Sequence, residues 1–200
     1  MEIIENVDLY SDVNKYDVIL VGTNIYSNMS QGFQRKVMLN FPYVQEKNMG
    51  TKYGDVNKLG TILECKKDGN PTFTLLYINK GNFRPDIKKE YLDYEALEKC
   101  LGLINVLYKG KTVASTILGL SRFEGNGDRN KILSILERNS ANINLILYDY
   151  EQLSRSEELK KIREEELKIK ENDIDAYYKT VKKRKEEADK RFENNGHARY

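Results

Sequence analysis

The chain is poor in the residues that carry metal and triad chemistry. It has one histidine, His197, close to its C-terminal end, and two cysteines, Cys65 and Cys100. One histidine excludes a His-based triad and a His metal cluster from the body of the chain. Two cysteines far apart make neither a disulfide framework nor a CxxC metal pair, which fits a reducing compartment. No metal site and no cofactor are therefore expected. Charge of one sign is missing too: the formal net charge is +2, so no global basic field argues for nucleic acid, which is not expected as a general partner. No apolar run is long enough to span a bilayer, and the first residues do not resemble a signal peptide. The expected location is the cytoplasm, or a viral particle assembled there, without a membrane partner.

What remains is 40% apolar, enough for a core, and 32% charged, high for a wholly globular chain. The two properties are segregated. Residues 1–150 alternate apolar strands with amphipathic helices, and 151–200 are dense in Lys, Arg and Glu, with Gly196 their one glycine and no proline. The expected organisation is an α/β body over 1–150 and a charged helical extension over 151–200.

Within the body, strands are predicted over residues 3–10, 17–23, 59–66, 72–79, 112–120 and 142–150. The third and fourth of these, 59–66 and 72–79, are joined by the turn signal Asp68-Gly69-Asn70-Pro71. A helix is predicted over 30–41, with Phe33, Val37 and Phe41 on one face and Pro42 stopping it, and residues 43–58 read as loop. Another is predicted over 90–108, where Leu97, Leu101, Ile104 and Tyr108 recur at helical spacing. Strands with near-continuous apolar runs among helices indicate an α/β or three-layer α/β/α sandwich.

The most informative stretch is residues 112–128, TVASTILGLSRFEGNGD. A buried strand leads into a loop carrying Gly125 and Gly127, and then into Asp128 at the mouth of a helix. Asp there accepts free amide N–H groups and opposes the positive helix end. Strand, glycine loop and helix N-terminus together make an anion site, and so point to a phosphate-bearing ligand. The alternative is an ordinary βα turn whose glycines serve φ > 0 positions. Ligands in open α/β sheets bind beyond the carboxyl ends of strands, which places Asn24, Lys80 and residues 121–128 around one crevice.

Residues 154–173 read as a solvated helix that starts near Ser154 or Ser156 with Glu side chains in its first turn. Leu167, Ile174, Val181 and Ala188 recur every seven residues, with Tyr178 and Phe192 beside them. Continuous to Phe192, this helix spans roughly 60 Å at about 1.5 Å per residue. It reads either as an exposed tail or as a docking helix for a protein partner or a second copy. The cluster Lys182-Lys183-Arg184-Lys185 adjoins Glu186 and Glu187 and reads as a solvated helix face rather than a nucleic-acid patch.

Five segments in order resemble the macrodomain superfamily. Val7-Asp8-Leu9-Tyr10 is similar to its first G-D-[IL] signature, and Val18-Ile19-Leu20-Val21-Gly22-Thr23-Asn24 to its second strand, which ends in an Asn. Residues 29–36, MSQGFQRK, resemble a branch motif M-G-x-G-[IL]-A-x-x-[FL]-K. Tyr77-Ile78-Asn79-Lys80 with Arg84-Pro85 and the helix bearing Tyr94-Glu95-Ala96-Leu97 resembles that branch's I-T-K-K segment and next helix. Residues 118–128 have the length of its phosphate loop, and Asp128-Arg129 is similar to a D-R seen in one glycohydrolase.

The resemblance covers residues 2–150 and implies an α/β/α sandwich with a mixed sheet that binds ADP-ribose or an ADP-ribosylated macromolecule. The branch includes ADP-ribose 1''-phosphatase, the terminal ADP-ribose protein glycohydrolase, and the antitoxin that removes ADP-ribose from DNA. By motif match, Asp8 would hold adenine, and Asn24 and Gln31, with Gly32 beside them, the distal ribose. Gly119, Ser121, Arg122, Gly125, Asn126 and Gly127 would hold the diphosphate. Lys80 would be the nucleophile and Asp128 the general acid and base.

The family's N-A-A-N is replaced by Gly22-Thr23-Asn24-Ile25, and Arg122, Phe123 and Glu124 stand where small residues are usual. Arg122 can assist a diphosphate, whereas a Glu facing it repels one. Three functions are consistent with these residues. One is a hydrolase of ADP-ribose linked to a carboxylate or nucleobase, or the related phosphatase. Another is a module that binds ADP-ribose without turnover. The last is a macrodomain fold reused in an assembly, for example a viral particle, attached through 151–200.

Overall fold

The computed structural model describes residues 1–81, 89–121 and 124–149. These lie within one compact unit, Met1–Glu151. The predicted extension over 151–200 lies outside the described residues, as do Arg122, Phe123, Arg84 and Pro85.

Among the described residues the sheet has six strands: β1 (Glu2–Glu5), β2 (Val18–Asn24), β3 (Ile62–Cys65), β4 (Thr72–Asn79), β5 (Thr112–Thr116) and β6 (Asn144–Asp149). Their order across the sheet is β1-β6-β5-β2-β4-β3. All neighbours are parallel except β3, which runs antiparallel to β4 at the edge. The mixed sheet expected from the sequence is therefore present. β2 is central and buried along its whole length. It lies between β5 and β4, with Leu20 opposite Ser115 on one side and Thr74 on the other.

Because successive side chains on a strand alternate faces, β2 feeds two cores. Val18 and Leu20 join the core beneath α4 (Tyr94–Leu107) and α5 (Arg129–Arg138). Ile19 and Val21 join the other, beneath α1 (Leu9–Asp12), α2 (Gly32–Asn40) and α3 (Pro42–Met49). Helices on both faces make three layers. Each fully buried Leu, Ile or Val contributes about 1.5–3 kcal/mol, so this double-faced strand is the main apolar investment of the fold.

The helices follow local signals closely. α4 starts at Asp93, whose carboxylate accepts the Ala96 amide, and it buries Leu97, Cys100, Leu101 and Ile104 on one stripe. α5 starts at Asp128, whose carboxylate accepts the Lys131 amide. The turn joining β3 to β4 uses Gly69 at φ +72°.

Three expectations change. The first strand stops at Glu5, and Asp8 caps a short helix instead of continuing the strand. A side-chain oxygen at an N-cap offers the backbone a partner that a strand edge would compete for. Pro42 does not simply end a helix: α2 stops at Asn40 and Pro42 is the first residue of α3, where its missing N–H costs nothing. Residues 43–49, predicted as loop, are therefore helical. β5 ends at Thr116, and residues 117–121 already turn, with the Leu120 amide donating to the Ile117 carbonyl.

Both cysteines are buried and free. Burial pushes the Cys65 thiol up to about 11 and the Cys100 thiol up to about 12. Among the described residues no helix is long and apolar enough to cross a membrane.

Candidate functional site

Since β2, β4, β5 and β6 are parallel, their carboxyl ends emerge along one edge of the sheet. That edge carries Asn24 at the end of β2, Lys80 just past β4 and the glycine loop past β5. The sheet itself ties the first two together: the Ile25 amide donates to the Asn79 carbonyl at 3.1 Å, next to a register shift at Thr23 and Asn24.

Asn24 is 7% exposed and organises the loop that follows it. Its Oδ1 accepts the amides of Tyr26 (3.0 Å) and Asn28 (3.2 Å), and its Nδ2 donates to the Asn28 carbonyl (2.8 Å). Asp8 is engaged at both oxygens: Oδ1 accepts the Tyr10 amide, and Oδ2 pairs with the Lys36 ammonium on α2. The contact between Lys36 and Asp8 arises from the packing of α2 and has no local signature. Gln31 is the N-cap of α2 by its backbone, with its side chain exposed and unused for capping. Gly32 follows at φ +54°, where a side chain is strained.

Lys80 has a side chain 57% exposed, and its Nζ lies 3.2 Å from Asp93 Oδ2. Burial pushes the Asp93 carboxyl up, but the Ala96 amide and the Lys80 ammonium outweigh it and hold it below the ordinary carboxylate range. Exposure and a carboxylate neighbour are the reverse of the burial and cationic neighbours that activate an amine as a nucleophile. Asp128 uses Oδ1 to accept the Lys131 amide at 2.8 Å, as an N-cap does. Its own amide donates to the Tyr94 hydroxyl at 2.8 Å. Lys80 and Asp128 thus attach to consecutive residues at the head of α4, Asp93 and Tyr94.

The glycine loop is held tightly. The Ser121 carbonyl accepts the amides of Glu124, Gly125 and Asn126, and the Gly119 carbonyl accepts that of Gly127 at 3.0 Å. Asn126 sits at φ +55°, and its Nδ2 donates to the Lys89 carbonyl at 3.4 Å. Glu124 is buried at 4% exposure.

Gly119 (φ +75°) and Gly125 (φ +150°) do occupy positions that disfavour side chains. A second cause, absent from the sequence reading, is Leu92. A Cβ on Gly119, Gly125 or Gly127 would lie 2.6, 2.8 or 2.5 Å from its side chain.

The loop keeps one group unspent. The Ser121 hydroxyl is buried and has no hydrogen-bond partner among the described residues. The same holds for Thr23 Oγ1 and Thr116 Oγ1, on the neighbouring strands β2 and β5 near their carboxyl ends. Buried polar groups in native interiors are usually paired, with protein groups or with ordered water. No group of three or more His, Cys, Asp or Glu side chains suited to a metal ion occurs among the described residues.

No family model matches the chain, and no curated protein matches it in sequence. Solved structures do. A protein of unknown function from Bacteroides thetaiotaomicron superposes with a TM-score of 0.61 at 14% identity, over 74% of this chain and 98% of that one. The macrodomain of Thermus aquaticus DarG gives 0.55 at 11% identity, over 74% and 97%. Thermosipho africanus DarTG in complex with ADP-ribose gives 0.54 at 15% identity, over 74% of this chain and 41% of that one. These superpositions show that the chain shares its fold with solved macrodomains such as that of Thermus aquaticus DarG.

Proposed function

We propose that the protein binds ADP-ribose, free or attached to a macromolecule, at the carboxyl edge of β2, β4 and β5. The observation that carries this reading is the buried, unpartnered Ser121 hydroxyl inside a glycine loop that runs from β5 to the N-terminus of α5. A helix N-terminus beside such a loop attracts a diphosphate. The likeness in fold to a DarTG structure that holds ADP-ribose supports the choice of ligand.

On this reading Asn24, Gln31 and Gly32 flank the distal ribose, and Gly119, Ser121, Gly125, Asn126 and Gly127 the diphosphate, with Arg122 as a further candidate outside the described residues. Asp8 serves the adenine side, in competition with Lys36 for the same carboxylate oxygen.

Turnover is the second part of the proposal. It assigns Lys80 as nucleophile and Asp128 as acid and base, and it requires Lys80 to leave Asp93. The observed ion pair therefore favours binding without hydrolysis as the resting behaviour. Residues 151–200 would serve a protein partner or self-association.

Calorimetric titration of ADP-ribose into the full chain, repeated with Asp8→Ala, tests binding: saturable heat weakened by the substitution is expected, and absence of saturable binding refutes the reading. Release of ADP-ribose from a modified carboxylate, lost in Lys80→Ala and Asp128→Ala, would establish the hydrolase. Equal turnover in the variants would remove those two roles.

A further inference from the structure

We propose that residues 91–94 form a clamp that sets the grip of the glycine loop, with Leu92 as its positioning residue. The inference deepens the ADP-ribose reading above and rests on it for the identity of the ligand.

The geometry is specific. Leu92 is 6% exposed and fills the space that the side chains of three loop residues would need. A Cβ on Gly119 would meet its Cδ1 at 2.6 Å, one on Gly127 its Cδ2 at 2.5 Å, and one on Gly125 its Cβ at 2.8 Å. These glycines are spread over residues 119–127, and the side chain of Leu92 stands against all three. The backbone locks the same contact: the Tyr91 and Leu92 amides both donate to the Gly125 carbonyl, at 2.7 and 3.0 Å. One step further, the Tyr94 hydroxyl accepts the Asp128 amide at 2.8 Å and donates to Glu90. The Lys131 ammonium lies 3.6 Å from the centre of the Tyr94 ring. The loop is thus held at its start, middle and end by one short segment.

The other side of that segment is anchored to β4. The Lys80 amide donates to the Tyr91 carbonyl at 3.4 Å, and the Asp93 amide donates to the Ile78 carbonyl at 2.8 Å. Leu92 bridges Asn79 in an antiparallel sense. Asp93 also holds the Lys80 ammonium. The clamp therefore places the Lys80 arm and the glycine loop in one frame, which local sequence around either could not do. A ligand gripped by a loop already held in shape gives up less ordering entropy on binding. Loosening the clamp should cost affinity even where the core stays folded.

The test uses the full chain with Leu92→Ala, Gly127→Ala and the double variant. The readouts are calorimetric affinity for ADP-ribose and hydrogen exchange of the loop amides. Leu92→Ala is expected to weaken binding at least about tenfold and to speed exchange at Gly125 and Gly127, because the socket empties. Gly127→Ala alone should weaken binding by steric conflict. The double variant should recover part of that loss, since the new methyl enters the vacated space. Leu92→Met, close in volume, should bind as the wild type does.

Wild-type affinity in Leu92→Ala, or a double variant no better than Gly127→Ala, overturns the clamp. So does a fall in stability with affinity unmoved, the signature of a purely structural leucine. Should Leu92→Ala fail to fold, Leu92→Val carries the same comparison with one carbon removed instead of three. If the wild type binds no ADP-ribose, the ligand reading falls by itself. The clamp is then decided by exchange alone, and unchanged loop protection in Leu92→Ala overturns it too.

Discussion

Replacing Ser121 by Ala should move stability and affinity in opposite directions. The Ser121 hydroxyl is buried, with no hydrogen-bond partner among the described residues. Leaving a buried polar group unsatisfied costs about 1–3 kcal/mol. The loop's own amides do not relieve it, because those of Glu124, Gly125 and Asn126 go to the Ser121 carbonyl rather than to its side chain. Removing the oxygen removes the penalty and leaves the loop backbone intact, so Ser121→Ala should unfold about 1 kcal/mol later in urea than the wild type.

If the hydroxyl is kept for a ligand, the same change deletes one hydrogen bond to an anionic group. A loss of roughly 1–1.5 kcal/mol corresponds to about a fivefold to tenfold weaker dissociation constant for ADP-ribose. Urea titration and calorimetry on the two proteins measure both quantities. A stabilised variant with undiminished affinity would mean that Ser121 does not touch the ligand. A destabilised variant would mean that the hydroxyl already has a partner, and the reasoning from an orphaned group would be wrong. The expected pattern is the trade-off seen where a binding site is kept at the expense of stability.

Tyr108→Phe tests a buried network away from the site. The Tyr108 hydroxyl lies 2.6 Å from Thr74 Oγ1 and donates to Glu64 Oε1 at 2.7 Å, and Thr74 is fully buried. The substitution should cost roughly 2–3 kcal/mol at pH 7 by urea titration. Tyr108's hydroxyl, and then Lys66, hold the Glu64 carboxyl below its ordinary value. Its stabilising contribution is therefore present above about pH 4.3 and lost as the pH falls through the lower folded value, so the difference between the two proteins should shrink toward pH 3. A difference that grows in acid refutes this account. For Cys65 and Cys100, both buried with raised thiol values, a thiol reagent at pH 8 should label neither in native buffer and both in urea. Rapid labelling of the native chain would contradict the packing of β3 and α4.

How much could be read before any coordinates depended on the range of the forces involved. The burial of β2, the stripe of α4, the cap at Asp128 and the turn at Gly69 were all legible, because each is decided by residues within a few positions of one another. Pro42 shows the limit of local reading: the same ring that ends one helix suits the first position of the next, and only the packing of Val44 under β3 and β4 selects the second outcome. The glycines of the loop were visible; of Gly125 and Gly127, the two that the βα-turn reading put at positive φ, only Gly125 is.

The side chain that fills the space beside them was not, since Leu92 is distant in sequence and looks like any other leucine before a helix. The same holds for the partners of Asp8 and Lys80. A carboxylate and an ammonium at these positions can be recognised by motif, but Lys36 and Asp93 reach them only after α2 and α4 have packed on opposite faces of the sheet. The sequence by itself determined most of the strands, the longer helices, the cap at Asp128 and the chemical groups at the carboxyl edge. Tertiary structure alone decided which of those groups are already spent on one another, because pairing depends on distances that no local preference encodes.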